Sequence, residues 1–132
     1  MYIFTLVGDV KKVVELLRSR HGEFKLAMLY NSALDANGNW NFIVSSDWTD
    51  AIGMAAAIRS VAQALHENLS LSHRDSISRI TVLRTDDPFV IDMTHLYPVP
   101  GGHGGIPLKQ VTAGRITEGA GFVFYSQKEI PA

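Results

Sequence analysis

Cysteine is absent from this chain. Disulfide staples, thiol nucleophiles and cysteine-based zinc sites are therefore excluded by composition. Charge of one sign is absent as well. Lys and Arg number 12 against 13 Asp and Glu, for a formal net charge of −1. That balance offers no general attraction to phosphate backbones or anionic lipid. No apolar run reaches the length that spans a bilayer. Met1 to Val7 is apolar, but it is too short for a secretory signal and has no basic flank ahead of it. The expectation is a cytoplasmic protein with no membrane partner. Phosphate loops, zincin helices and nucleophile elbows are also missing. No cofactor is specified, and no metal site is expected.

What is present is globular. The chain has 132 residues, 46% hydrophobic and 19% charged. Folding a chain of this size buries roughly 65–70% of the unfolded surface, enough for a core without crosslinks. Residues 1–132 are read as one domain.

Val10, Val13, Val14 and Leu17 recur at helical spacing and predict a helix over 8–20, with Gly22 as its stop. Residues 2–7 fit a backward extension of it, or irregular structure, better than a short strand of Tyr2, Phe4 and Leu6. Phe24, Leu26, Met28 and Tyr30 alternate, as do Trp40, Phe42 and Val44, and Asn37-Gly38 lies between the two runs. That is the signature of a β-hairpin over about 24–46. Ile52, Ala55, Ile58, Ala62, Leu65 and Leu69 predict one long helix over 50–69, with Gly53 as a close-packing position. Ser72 and Asp75 have capping-box-like spacing, so 70–75 reads as a helical turn. Ile80 to Leu83, the turn residues Asp86-Asp87-Pro88, and Phe89 to Ile91 suggest a second hairpin. Residues 96–110, with Gly101-Gly-His-Gly-Gly105 between prolines, predict a long loop. Residues 111–117 read as extended, and 122–125 as a final strand after a bend at Gly119 to Gly121. The order helix, hairpin, helix, hairpin, strand predicts an α+β domain of two layers. Its antiparallel sheet has about five strands, and its two main helices lie on one face.

Candidate chemistry sits in three places. Asp47 and Asp50, at the start of the long helix, are the residue types for a divalent cation or for general acid and base work. The simpler role is an Asp47 helix cap with Asp50 in the first turn. His103 stands among glycines, where backbone N–H groups can approach an anion. It lacks the Lys and Ser/Thr of a phosphate loop. Lys109 and Arg115, with Glu118 and Tyr125 nearby, have the donors for a phosphate or carboxylate, or form a solvated strand face. A zinc site from His73, His95 and His103 would need the fold to gather them. Trp40, Trp48 and Tyr97 read as anchors in the core and loops rather than as stacking platforms.

Three functions follow, in order of preference. The first is a binding or assembly module that self-associates into a homo-oligomer. The second is a small enzyme or ligand binder. Its site lies between the helix start at 47–50 and the glycine loop at 101–105, with Asp47, Asp50 and His103 as catalytic candidates. His103, Lys109 and Arg115 are its ligand-binding candidates. The third and least favoured is a nucleic-acid-associated factor using Lys11, Lys12, Arg18 and Arg20 on the first helix.

Overall fold

The computed structural model describes residues 2–31, 40–99, 106–108 and 120–130. They form a single α+β domain. The elements run α1 (Tyr2–His21), β1 (Leu26–Asn31), β2 (Trp40–Ser45), α2 (Asp47–Ile52), α3 (Met54–Asn68), α4 (Leu71–Ser76), β3 (Ile77–Val82), α5 (Pro88–Leu96), β4 (Ile106–Leu108) and β5 (Ala120–Ser126). The sheet order is β3-β2-β1-β5-β4. Four strands are six or seven residues long, and β4 adds three residues at one edge.

The first hairpin forms as its alternation predicts. β1 and β2 pair antiparallel, with Leu26 opposite Ser45 and Tyr30 opposite Asn41. Its Asn-Gly tip lies outside the described residues. The second hairpin does not form. β3 pairs parallel to β2, so the sheet is mixed rather than antiparallel. Phe89 to Ile91 belong to α5, not to a return strand. The physical reason is local. Asp87 caps α5 by accepting from the Phe89 N–H at 2.8 Å, and Pro88 occupies the first turn, where an N–H has no helical partner. An Asp-Pro pair serves a turn and a helix start equally well. The parallel step from β2 to β3 is carried by α2, α3 and α4, as parallel pairing requires a long crossover.

The predicted long helix is two. Ser46 caps α2 in a reciprocal capping box with Thr49, which displaces Asp47 from the cap to the first helical position. Gly53, at φ +88°, then breaks the run; its N–H closes α2 on the Thr49 carbonyl at 3.1 Å. α1 begins at Tyr2, earlier than its strongest periodicity indicates. Leu96 ends α5, and β4 and an isolated bridge from Val99 to Ser126 fall within the predicted 96–110 loop. Residues 100–105 and 111–117 lie outside the described residues.

Each strand sends alternate side chains to opposite faces. Ala27, Leu29, Trp40, Phe42, Val44 and Val82 face α1 and α3 and make the larger core with Val10, Val13, Leu17, Ala57 and Val61. Leu26, Met28, Tyr30, Ile43 and Val123 face α5 and form a second cluster with Phe89, Val90 and Met93. The described residues form five helices rather than two main ones, but α1 and α3 share one face. α5 covers the other, which makes three layers instead of two.

α1 is pinned to the sheet by charge as well as by packing. The Tyr125 hydroxyl donates to both Glu15 carboxylate oxygens at 2.8 and 3.0 Å, and the Arg18 guanidinium donates to Glu15 at 2.7 Å and to Glu23 at 2.8 Å. Burial alone would raise the Glu15 carboxyl; the hydrogen bonds from Arg18 and Tyr125 outweigh it and hold the group below its ordinary range. Burial, and then the bond to Glu15, push the Tyr125 phenol up to about 12. The Tyr125 contribution to stability is complete below a phenol's ordinary value and is lost as the pH climbs toward 12. The Glu15 contribution runs the other way and is lost as the pH falls through its lowered value. A phenolate absorbance titration of the folded protein is expected to show one tyrosine ionising last, at about 12. Tyr125→Phe should remove that step. Ionisation of every phenol near the ordinary value would mean that the Glu15 contact does not hold in solution.

Candidate functional site

α5 has nine residues, about 13 Å of helix, too short to roof the whole second face of the sheet. Past its N-terminal end a groove of about 830 Å³ opens over β1, β2 and β3, lined by Tyr30, Asn41, Ile43, Arg79, Thr81, Leu83, Asp87, Pro88, Phe89 and Asp92. That volume is within the usual range for small-molecule sites.

The local sequence explains which side chains reach it. The pairing of β2 with β3 shifts by one residue between Trp40 opposite Ile77 and Asn41 opposite Arg79, which leaves Ser78 as a bulge. Beyond the bulge, Ile80 and Val82 return to the larger core, while Arg79, Thr81 and Leu83 turn to the groove. The Thr81 hydroxyl donates to the Asn41 side-chain carbonyl at 2.8 Å, which leaves the Asn41 amide donors to another acceptor. Arg79 is exposed. Asp87 uses its carboxylate to cap α5. Tyr30, Ile43, Leu83 and Phe89 supply an apolar wall. The arrangement presents the donors of Arg79 and Asn41 on an apolar surface, with the carboxylates of Asp87 and Asp92 also in its lining. Among the described residues that line it, no nucleophile is paired with a base.

The candidates read from the sequence are placed differently. Asp47 is exposed at the start of α2. Asp50 is part-buried, and its carboxylate accepts from the Thr85 hydroxyl at 2.7 Å and the Thr85 N–H at 3.3 Å, tying α2 to the turn before α5. His103, Lys109, Arg115 and Glu118 lie outside the described residues. Tyr125 is buried against α1, with its hydroxyl on Glu15. Among the described residues no three potential metal ligands converge.

His73 is buried on α4, and His95 is exposed on α5. The His73 ring meets Asp9 through Nδ1 at 2.7 Å and Thr5 through Nε2 at 3.3 Å. Carboxylate, imidazole and hydroxyl thus stand in the order of a nucleophilic triad. Both of its partners lie one turn apart on α1, however, and the contact clamps the short helix α4 to α1. The cationic set on α1 is partly neutralised: Arg18 is held by two carboxylates, and Lys12 lies 4.0 Å from Asp9. Trp40 is buried beside Phe122, and Trp48 stacks on His21 at 4.4 Å. Both are packing anchors, as their surroundings in the sequence suggest.

The groove residues Asn41, Arg79 and Thr81 escaped the sequence reading. Their signal was the alternation Arg79-Ile-Thr-Val82, with polar and apolar residues on opposite faces. The bulge at Ser78 and the parallel partner hid which face was covered. No protein-family model matches the chain, and comparison with curated proteins and with solved structures finds no significant match.

Proposed function

We propose that the protein is a binding module that holds a small ligand in the groove beneath the N-terminus of α5. The observation that carries this reading is the groove itself, with Asn41, Arg79 and Thr81 on the same face as Tyr30, Ile43 and Phe89. The ligand class that fits is an apolar, preferably planar body bearing one carboxylate or carbonyl acceptor. The body takes the aromatic and aliphatic wall; the acceptor takes the Arg79 and Asn41 donors.

The test is a thermal-shift screen with aromatic carboxylates. A ligand at a hundred times its Kd should add about 2.7 kcal/mol of stability. The expected result is a saturable rise in Tm that Asn41→Leu removes, with amide shifts at Tyr30, Ile43 and Phe89. A flat screen, or shifts elsewhere on the molecule, would overturn this placement.

Self-association is the second reading. It is favoured by the exposed apolar side chains Ile52, Met54, Leu71, Ile91 and Leu96, of which Ile52 and Met54 flank the break at Gly53. A concentration-dependent mass in sedimentation equilibrium supports it, and a monomer at every concentration rejects it.

A further inference from the structure

β3 is the outermost strand on its side of the sheet. The Leu83 N–H is given to the Val44 carbonyl at 3.0 Å, toward β2. Residues 80–82 pair regularly with β2, so alternation turns the N–H groups of Ile80 and Val82 outward. An edge of this kind is a template for another strand.

A second groove runs along that edge. It has about 290 Å³ between β3 and the helices α3 and α4, lined by Ala62, Leu65, His66, Arg74, Ile77, Ser78, Arg79 and Ile80. Its floor is apolar. Its polar groups are donors or cations, and no carboxylate lines it. Arg74 bonds to His66 through one guanidinium nitrogen, while its Nε is buried with no acceptor among the described residues. A buried guanidinium donor without an acceptor is costly unless an acceptor arrives. Arg79 stands exposed at the middle of the strand.

We propose that this edge receives an extended acidic segment of another protein, which adds as a strand beside β3. Its backbone meets the outward groups of Ile80 and Val82. Acidic side chains on one face of the segment meet Arg79, and its other face enters the groove with apolar side chains over Leu65 and Ile77 and one acidic side chain at Arg74. A second copy of this chain is the poorer occupant. Antiparallel pairing of two β3 strands about a two-fold axis near the strand centre sets Arg79 against its own copy, and like charges directly opposed in a sheet are destabilising. The edge shares Arg79 with the ligand groove, but its backbone contacts at Ile80 and Val82 and its contact with Arg74 are its own, so Arg74→Gln and N-methylation of the peptide test it independently of ligand binding.

The experiment uses a fluorescent peptide about eight residues long, of alternating glutamate and valine with one central valine replaced by glutamate to face Arg74. Binding is read by anisotropy, and backbone contact by amide hydrogen exchange. The expected result is saturable binding with slowed exchange at Ile80 and Val82. Arg74→Gln and Arg79→Glu should each weaken it about tenfold, as should N-methylation of alternate peptide amides. Folding of each variant is checked by its Tm. A lysine–valine peptide that binds equally, or an N-methylated peptide that binds unchanged, overturns the proposal. So does a uridine oligonucleotide that displaces the peptide while Ile80 and Val82 exchange freely. A dimer of the free protein that Arg79→Glu dissociates would assign the edge to a second copy and overturn it as well.

Discussion

Replacing Phe42 with alanine is expected to lower the stability of the fold by about 3–5 kcal/mol. Phe42 is fully buried at the centre of β2, between the hairpin partner Leu29 and the β3 partner Ile80. Its ring belongs to the core shared with α1 and α3. Truncation removes the transfer free energy of the ring and leaves a cavity walled by a hairpin on one side and helices on the other, where collapse is limited. Against a total of roughly 5–15 kcal/mol for a domain, that loss is decisive. In urea the midpoint should fall while the slope stays constant, because the surface exposed on unfolding barely changes. A loss below about 1 kcal/mol would mean that the helices close over the gap and that the core is less tightly packed than the burial of Phe42 indicates.

Phe42 also shows why part of this fold is legible in the sequence. It lies in a strand whose alternation survives intact, between an Asn-Gly pair in the sequence and a serine cap, and each local signal agrees with the next. The stripe from Val10 to Leu17 is equally plain, because α1 buries one face and leaves the other wet. The signals fail where one chemistry serves two structures. Asp86-Asp87-Pro88 fits a turn and a helix start, and the following Phe-Val-Ile is rich in strand formers. Tertiary burial of Phe89, Val90 and Met93 against Leu26, Met28 and Val123 decides for the helix. Gly53 is similar: a small residue within a helical period reads as a packing site, but its positive φ makes it a break. The direction of β3 is not encoded locally at all, because parallel and antiparallel edge strands share the same alternation.

The candidate site follows the same division. Asp47 and Asp50 stood out because carboxylates at a helix start are conspicuous, yet one is exposed and the other holds Thr85. Asn41, Arg79 and Thr81 were inconspicuous because their common face exists only after β2 and β3 pair in parallel with the bulge at Ser78. A site made of pairing register carries no motif. The Thr5–His73–Asp9 contact is likewise invisible in sequence, since its members come from helices far apart in the chain.

Glycine gives the sharpest test of the packing, because one chemical change should have opposite signs at two positions. Glycine to alanine in a regular element normally stabilises, by roughly 0.5–1 kcal/mol, since the unfolded chain loses freedom. Gly8 lies within α1, and an added Cβ there meets nothing within 4 Å, so Gly8→Ala should show that gain. Gly121 pairs with Tyr30 on β1 and with Leu108 on β4. An added Cβ there would stand 2.6 Å from the Leu29 carbonyl oxygen and 3.1 Å from the Met28 side chain. Met28 has rotamers with which to give way. The Leu29 carbonyl does not, because β1 is flanked by β2 and β5. The strand must shift, and overpacking of this kind costs about 1–3 kcal/mol, which exceeds the entropic gain. Gly121→Ala should therefore lower the urea midpoint while Gly8→Ala raises it. Valine at 121 should cost more than alanine, since it adds further carbons to a Cβ that already has no room. A stabilised Gly121→Ala would show that β5 can move away from β1, and with it the second cluster that α5 and the groove are built upon.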